Sequence, residues 1–239
     1  MKTTRFLTTL LALCLMLSSF GACTSSNDPL QDEEEKQAPQ TETETEKEAE
    51  AEGETETEVD NQAYEYEQAQ KAYAELNKAA ELCVQAMDAI YGAWYFSIYE
   101  AKFGTSDYKN YDGFEARTGI EYKEIEAAMS SIGLSYDQSY YLTEASYAVK
   151  IAQICLINRY TYSDAHAYID NAKAYIKELT NEYADYTAYP TLKLYYSEIS
   201  SYLEFIESPS GSFSQLQTTI DTYETNIRTY KNDLSFTLE

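Results

Sequence analysis

Residues 213–234 read FSQLQTTIDTYETNIRTYKNDL, with apolar side chains at Phe213, Leu216, Ile220, Tyr223, Ile227, Tyr230 and Leu234. Alternating steps of three and four place all seven on one face of an α-helix of about 3.6 residues per turn. A strand would scatter them over both faces. Ser212 and Gln215 add the spacing of a capping box at the helix start. A helix with one apolar face requires a partner, so this stretch implies a helical bundle.

The same periodicity recurs upstream. A first helix is predicted over residues 62–102, with Tyr66, Ala69, Tyr73, Leu76, Ala80, Cys83, Met87, Ile90, Trp94, Ser97 and Ala101 on its stripe. From Met87 to Ile98 the opposite face is apolar too, which places this part inside the bundle. Residues 104–119 contain three glycines and no clean period, and read as a long loop. Shorter helices follow over 120–132 and 136–159, the second opened by a Ser135–Gln138 capping pattern and apolar enough to be central. Ser163 or Asp164 caps a fourth helix carrying Ile169, Ala172, Ile176, Leu179 and Tyr183. Pro190 suits the first turn of the next, which carries Leu192, Tyr196, Ile199, Leu203 and Ile206. The expected fold is all-α, a compact antiparallel bundle of five or six helices. A helical solenoid is the competing architecture, but no residue signature repeats at a fixed period.

Charge divides the chain unevenly. The whole sequence of 239 residues carries 41 acidic and 17 basic side chains, for a net charge of -24. Residues 24–61 hold fifteen acids and two lysines, with Leu30 and Val59 the only sizeable apolar residues. Such a segment has too little to bury to offset its ordering entropy, so a disordered acidic tether is expected, with a short helix conceivable in the Glu/Ala-rich part. Residues 62–239 form the domain and contain all 25 tyrosines. No basic cluster follows the N-terminus, which excludes a nucleic-acid partner that would need its phosphates neutralised.

Lys2 and Arg5 precede an apolar run ending at Leu17, too short to span a bilayer comfortably and arranged like a signal peptide. Ser19-Phe20-Gly21-Ala22-Cys23 follows, and this resembles the lipobox of bacterial lipoprotein precursors, with Phe20 where the pattern usually has an aliphatic residue. The resemblance covers the first 23 residues. It implies removal of residues 1–22, lipidation of Cys23 and display outside the cytoplasm on the cell membrane. An ordinary secretory signal cut near Ala22 and an uncleaved anchor are the alternatives.

Catalytic and metal-binding chemistry finds little footing. His166 is the chain's one histidine, near Asp164 and Asp170, and zinc and di-iron helix motifs are missing. Placing Gly113 at the centre of a calcium loop puts Tyr108 and Gly119 at obligatory carboxylate positions, so the loop fails as an EF-hand. No metal and no cofactor are expected; a non-catalytic binding or structural module is expected first, with a carbohydrate or small-solute binder as the alternative and a helical enzyme third. Cys83 and Cys155 lie on helical stripes, and either a disulfide or buried thiols fits them. Tyrosine is the distinctive signal, since a bundle this size cannot bury all of them with every hydroxyl paired. Tyr91, Trp94, Tyr95 and Tyr99, Tyr108 and Tyr111, and Tyr140 and Tyr141 are the candidate aromatic surface for a protein, peptide or glycan partner. Tyrosines straddling helix seams, ring inside and hydroxyl outside, are the structural alternative.

Overall fold

The computed structural model describes residues 46–102, 109–135, 139–182 and 186–238. Its described residues form an all-α, compact bundle of seven helices and contain no strand. These are α1 (Glu46–Tyr95), α2 (Lys109–Thr118), α3 (Tyr122–Ser131), α4 (Ala145–Asn158), α5 (Thr161–Glu182), α6 (Tyr189–Glu207) and α7 (Phe213–Leu238). A π-helical turn, Phe96–Glu100, extends α1, and a 3-10 turn, Ser139–Thr143, precedes α4.

α1 is the axis, in contact with α2, α4, α5, α6 and α7. Its stripe is buried as expected from Ala69 through Ile90, but Tyr66, expected to open it, is exposed, and Ala72, Ala79, Ala86, Ala89 and Ala93 are buried as well, on a flank the stripe does not include. Small side chains beside the stripe let several helices approach one backbone, while Gln70, Lys78, Glu81, Gln85 and Asp88 keep one face exposed. Neighbour directions follow from side-chain ties. Lys71 lies over Tyr175 and Lys78 over Tyr168, so α5 runs antiparallel to α1. Tyr66 and Tyr73 donate to the carbonyls of Leu238 and Lys231 while Tyr91 stacks on Phe213, so α7 is antiparallel too. Tyr202 and Glu224, with Glu198 and Asn226, set α6 and α7 antiparallel.

Four expectations are corrected. α1 begins at Glu46, so residues 46–61 of the expected disordered tether are helical; Glu, Ala and Lys are good helix formers, and the packed turns that follow provide the nucleus an isolated segment lacks. Residues 109–118 are the helix α2, where a loop was expected. Tertiary burial overrides the weak local pattern there. Phe114 is fully buried and meets Phe96 edge-on at 5.9 Å, and Asn110 bonds both the N–H and the carbonyl of Lys102. Gly113 is required by that packing, because a Cβ would lie 2.6 Å from the Phe96 ring. The expected 136–159 helix breaks at Glu144, whose extended backbone (φ -104°, ψ 116°) separates the 3-10 turn from α4. The fourth helix starts at Thr161, ahead of the expected caps, and Ser163 instead donates to the Tyr160 carbonyl.

Other terminal signals act as read. Ser212 N–H donates to Gln215 Oε1 at 2.8 Å and Gln215 N–H to Ser212 Oγ at 3.3 Å, completing the capping box of α7. Pro190 occupies the first turn of α6. Gln138, Tyr183 and the loop residues before Lys109 lie outside the described residues.

Candidate functional site

Tyr91, Trp94, Tyr95 and Tyr99 sit near the C-terminal end of α1 and in its π turn, at helical spacing that points them one way. α7 supplies what joins them. Phe213, its first residue, stacks on Tyr91 at 5.1 Å and lies 6.4, 6.2 and 5.8 Å from Trp94, Tyr95 and Tyr99. Tyr95 and Tyr99 are 4.9 Å apart. Such tilted and edge-on pairs are each worth about 0.5–1.5 kcal/mol beyond area burial. The result is an aromatic ridge, half-buried along Tyr91 to Tyr95 and open at Tyr99, which is 62% exposed.

A cation closes one flank. Arg117, at the end of α2, lies 5.0 Å from the Tyr95 ring centroid and makes a two-point ion pair with Glu100. The guanidinium holds the Glu100 carboxyl below the usual carboxylate range. α2 reaches this position over Gly92, where an added Cβ would stand 2.2 Å from the Arg117 carbonyl oxygen. Asp88, Tyr91, Gly92, Tyr95 and Arg117 surround an open hollow of about 530 Å³ beside the ridge.

Tyr140 and Tyr141 form a second cluster, 4.2 Å apart, with Tyr147 edge-on to Tyr141 at 4.8 Å. Their 3-10 turn packs against the π turn that carries Tyr99. Hydrogen bonding to Tyr141 chiefly pushes the Tyr140 phenol up to about 12. Tyr111 does not belong to a surface: it is 2% exposed, edge-on to Tyr122 at 5.1 Å, and its hydroxyl donates to Met129 Sδ at 3.4 Å. The formation of α2 turned it inward. Tyr108 and Cys23 lie outside the described residues.

Cys83 and Cys155 are free, buried thiols, with no disulfide between them. They face different neighbours: Cys155 Sγ donates to the Glu124 carbonyl at 3.5 Å, while Cys83 feels the charge of Glu207. Burial pushes both thiols up to about 12, which suppresses the nucleophilic thiolate. His166 Nε2 pairs with Glu207 Oε1 of α6 at 2.9 Å, a partner the sequence did not indicate in place of Asp164 or Asp170. Among the described residues no three His, Cys, Asp or Glu side chains are grouped to hold a metal ion, and no helix is long and apolar enough to cross a membrane.

Two members of the ridge escaped sequence reading. Phe213 was visible only as the first residue of a stripe, and Arg117 carried no local mark at all. No family model, curated protein or solved structure matches this chain.

Proposed function

We propose that this chain is a lipid-anchored, extracytoplasmic binding module without catalysis, which offers the ridge of Tyr91, Trp94, Tyr95, Tyr99 and Phe213 to a protein partner in the envelope. The observation that carries the binding role is the convergence of four α1 aromatics on Phe213, with Tyr99 left open beside the Arg117–Glu100 pair. Aromatic rings with polar tips and an adjoining Arg are the side chains that dominate protein interfaces, since they present much contact area at small entropic cost. The anchor rests on the lipobox-like residues before Cys23. Acyl chains on Cys23 give firm membrane attachment when more than one is present. The acidic stretch after it keeps the domain clear of an anionic bilayer by charge repulsion, and in its last third it stiffens into α1.

Metabolic labelling with a palmitate analogue tests the anchor: wild-type protein takes up label and Cys23→Ala does not. Equal labelling of the two would remove the lipid from the proposal. The ridge is tested by a photo-crosslinking amino acid at Tyr99 in intact cells. A discrete adduct that disappears in Phe213→Ala supports it, and unchanged crosslinking in that variant counts against it.

A further inference from the structure

Two hollows adjoin through shared walls at Gln153 and Glu207, forming a trough that meets the aromatic ridge at Trp94. The first, of about 550 Å³, runs from Trp94 past Val149 and Lys150 to the 208–211 turn. The second, of about 430 Å³, lies over Ile157, Tyr162 and His166. Gln153 and Glu207 line both and form the waist, where α4, the start of α5 and the end of α6 meet. Each lobe falls within the range of roughly 300–1,000 Å³ usual for small-ligand sites.

The wall of the second lobe contains an unmet polar group. Tyr162 is 8% exposed, and its enclosed hydroxyl has no hydrogen-bond partner among the described residues. Enclosed hydroxyls are nearly always paired, so this one is the group in the wall that a partner from outside the chain would satisfy once the Tyr162 ring turns toward the lobe. Burial first, and then the nearby Glu207 charge, raise the Tyr162 phenol above its ordinary pKa and keep it a donor. Around it the second lobe is mainly apolar, with Ile157 and the Tyr162 ring beside a few polar groups and no dominant charge. Gln153 Nε2 donates to the Glu207 carbonyl at 3.0 Å and leaves its own amide oxygen as an acceptor. His166 is paired with Glu207, and Lys150 stands without an ion pair among the described residues. Ser146, Ser208 and Ser210 add hydroxyls to the first lobe, and Trp94, the chain's one tryptophan, forms its end.

Sugar rings combine an apolar C–H face with a rim of hydroxyls that both donate and accept. From this match we propose that the trough binds a neutral oligosaccharide of a few rings, one stacked on Trp94 and another placing a hydroxyl between Tyr162 Oη and Glu207. The site goes beyond the aromatic ridge: it shares Trp94 with it, takes its other walls from α4, α5 and α6, and does not depend on the ridge having a protein partner.

The test titrates the full-length chain, in a detergent without a sugar headgroup, with chitohexaose, cellohexaose and maltohexaose while following Trp94 emission. At least one sugar produces a saturable change. Tyr162→Phe and Gln153→Ala each weaken it at least fivefold, while Phe236→Ser, on an exposed position of α7 outside the trough, leaves it unchanged. Tyr162→Phe also keeps or raises the Tm, which separates lost binding from lost fold. The proposal is overturned if none of the three sugars gives a saturable change at millimolar concentration, if Tyr162→Phe binds like wild type, or if only short peptides shift the emission.

Discussion

α1 and α7 carry the same three-four apolar stripe, yet they occupy opposite situations in the bundle. Along α1, Ala69, Leu76, Ala79, Cys83, Ile90 and Ala93 are fully buried, and Ala72 and Ala86 widen that stripe, leaving one narrow exposed face through Gln70, Lys78, Glu81, Gln85 and Asp88. Along α7 only Leu216, Ile227, Leu234 and Leu238 are buried, while Phe213, Ile220, Tyr223 and Tyr230 stay half-exposed. The sharper the stripe, the more peripheral the helix. A helix covered on one side keeps polar residues everywhere else, whereas a helix packed by several neighbours buries a wider arc and keeps only a narrow polar face, which blurs the contrast that makes a stripe visible. Small residues are the better sign of the centre, because alanine lets neighbouring backbones close in.

The largest expected effect tests that difference directly. Leu76→Ala leaves a cavity enclosed by several helices and costs about 2–5 kcal/mol, whereas Ile220→Ala on the half-open face of α7 costs about 1 kcal/mol, because solvent and neighbours relax into the space. Urea unfolding of both variants checks this, and equal losses would break the distinction between axis and periphery. Gly92→Ala comes next. Its Cβ would stand 2.2 Å from a backbone carbonyl that has no freedom to rotate away, so α2 must shift, at a cost of about 1–3 kcal/mol. Movement of α2 also draws Arg117 off Tyr95. Thermal unfolding measures the cost, and a variant as stable as wild type would show that α2 is not seated on α1.

The smallest effect belongs to the seam that α7 makes with α6 and α1. Glu224 accepts the Tyr202 hydroxyl at 3.2 Å, and burial, followed by the charges of Asp88 and Asp221, raises its carboxyl above the ordinary value. An acid with a raised folded pKa binds its proton more tightly in the folded state, so its contribution is full below the unfolded value near 4.5 and declines as pH rises through the folded value. Glu224→Gln keeps an acceptor for Tyr202 and removes the charge. It therefore gains stability relative to wild type above about pH 5, by less than ~1 kcal/mol given the solvent screening of a partly exposed group. Denaturation midpoints between about pH 4 and 7 check the sign, and a variant less stable at neutral pH would show that the carboxylate is favourable where it stands.

Much of the bundle was legible because periodicity and terminal chemistry are local. The α5, α6 and α7 stripes, the Ser212–Gln215 box and Pro190 in the first turn of α6 all came from neighbours in sequence. The α2 region was not legible, since Phe114 and Gly113 make sense only against the Phe96 ring. Tyr111 was misread for the same reason: a tyrosine in a loop looks available, and only the helix around it turns it into core. Four of the five ridge residues, Tyr91, Trp94, Tyr95 and Tyr99, could be read from their spacing, but the centre comes from Phe213, more than a hundred positions away.

The sequence by itself determined the helical class and the contrast in composition between an acidic N-terminal segment and a tyrosine-rich remainder. These depend on composition and on residues a few positions apart. Only the tertiary structure decided that α1 is the axis, that Cys83 and Cys155 stay apart as buried thiols, that Phe213 gathers the ridge, and that Tyr162 keeps an enclosed hydroxyl without a partner among the described residues. Each of those depends on which distant side chains come within a few ångströms, and packing fixes that through shape and desolvation that no local pattern records.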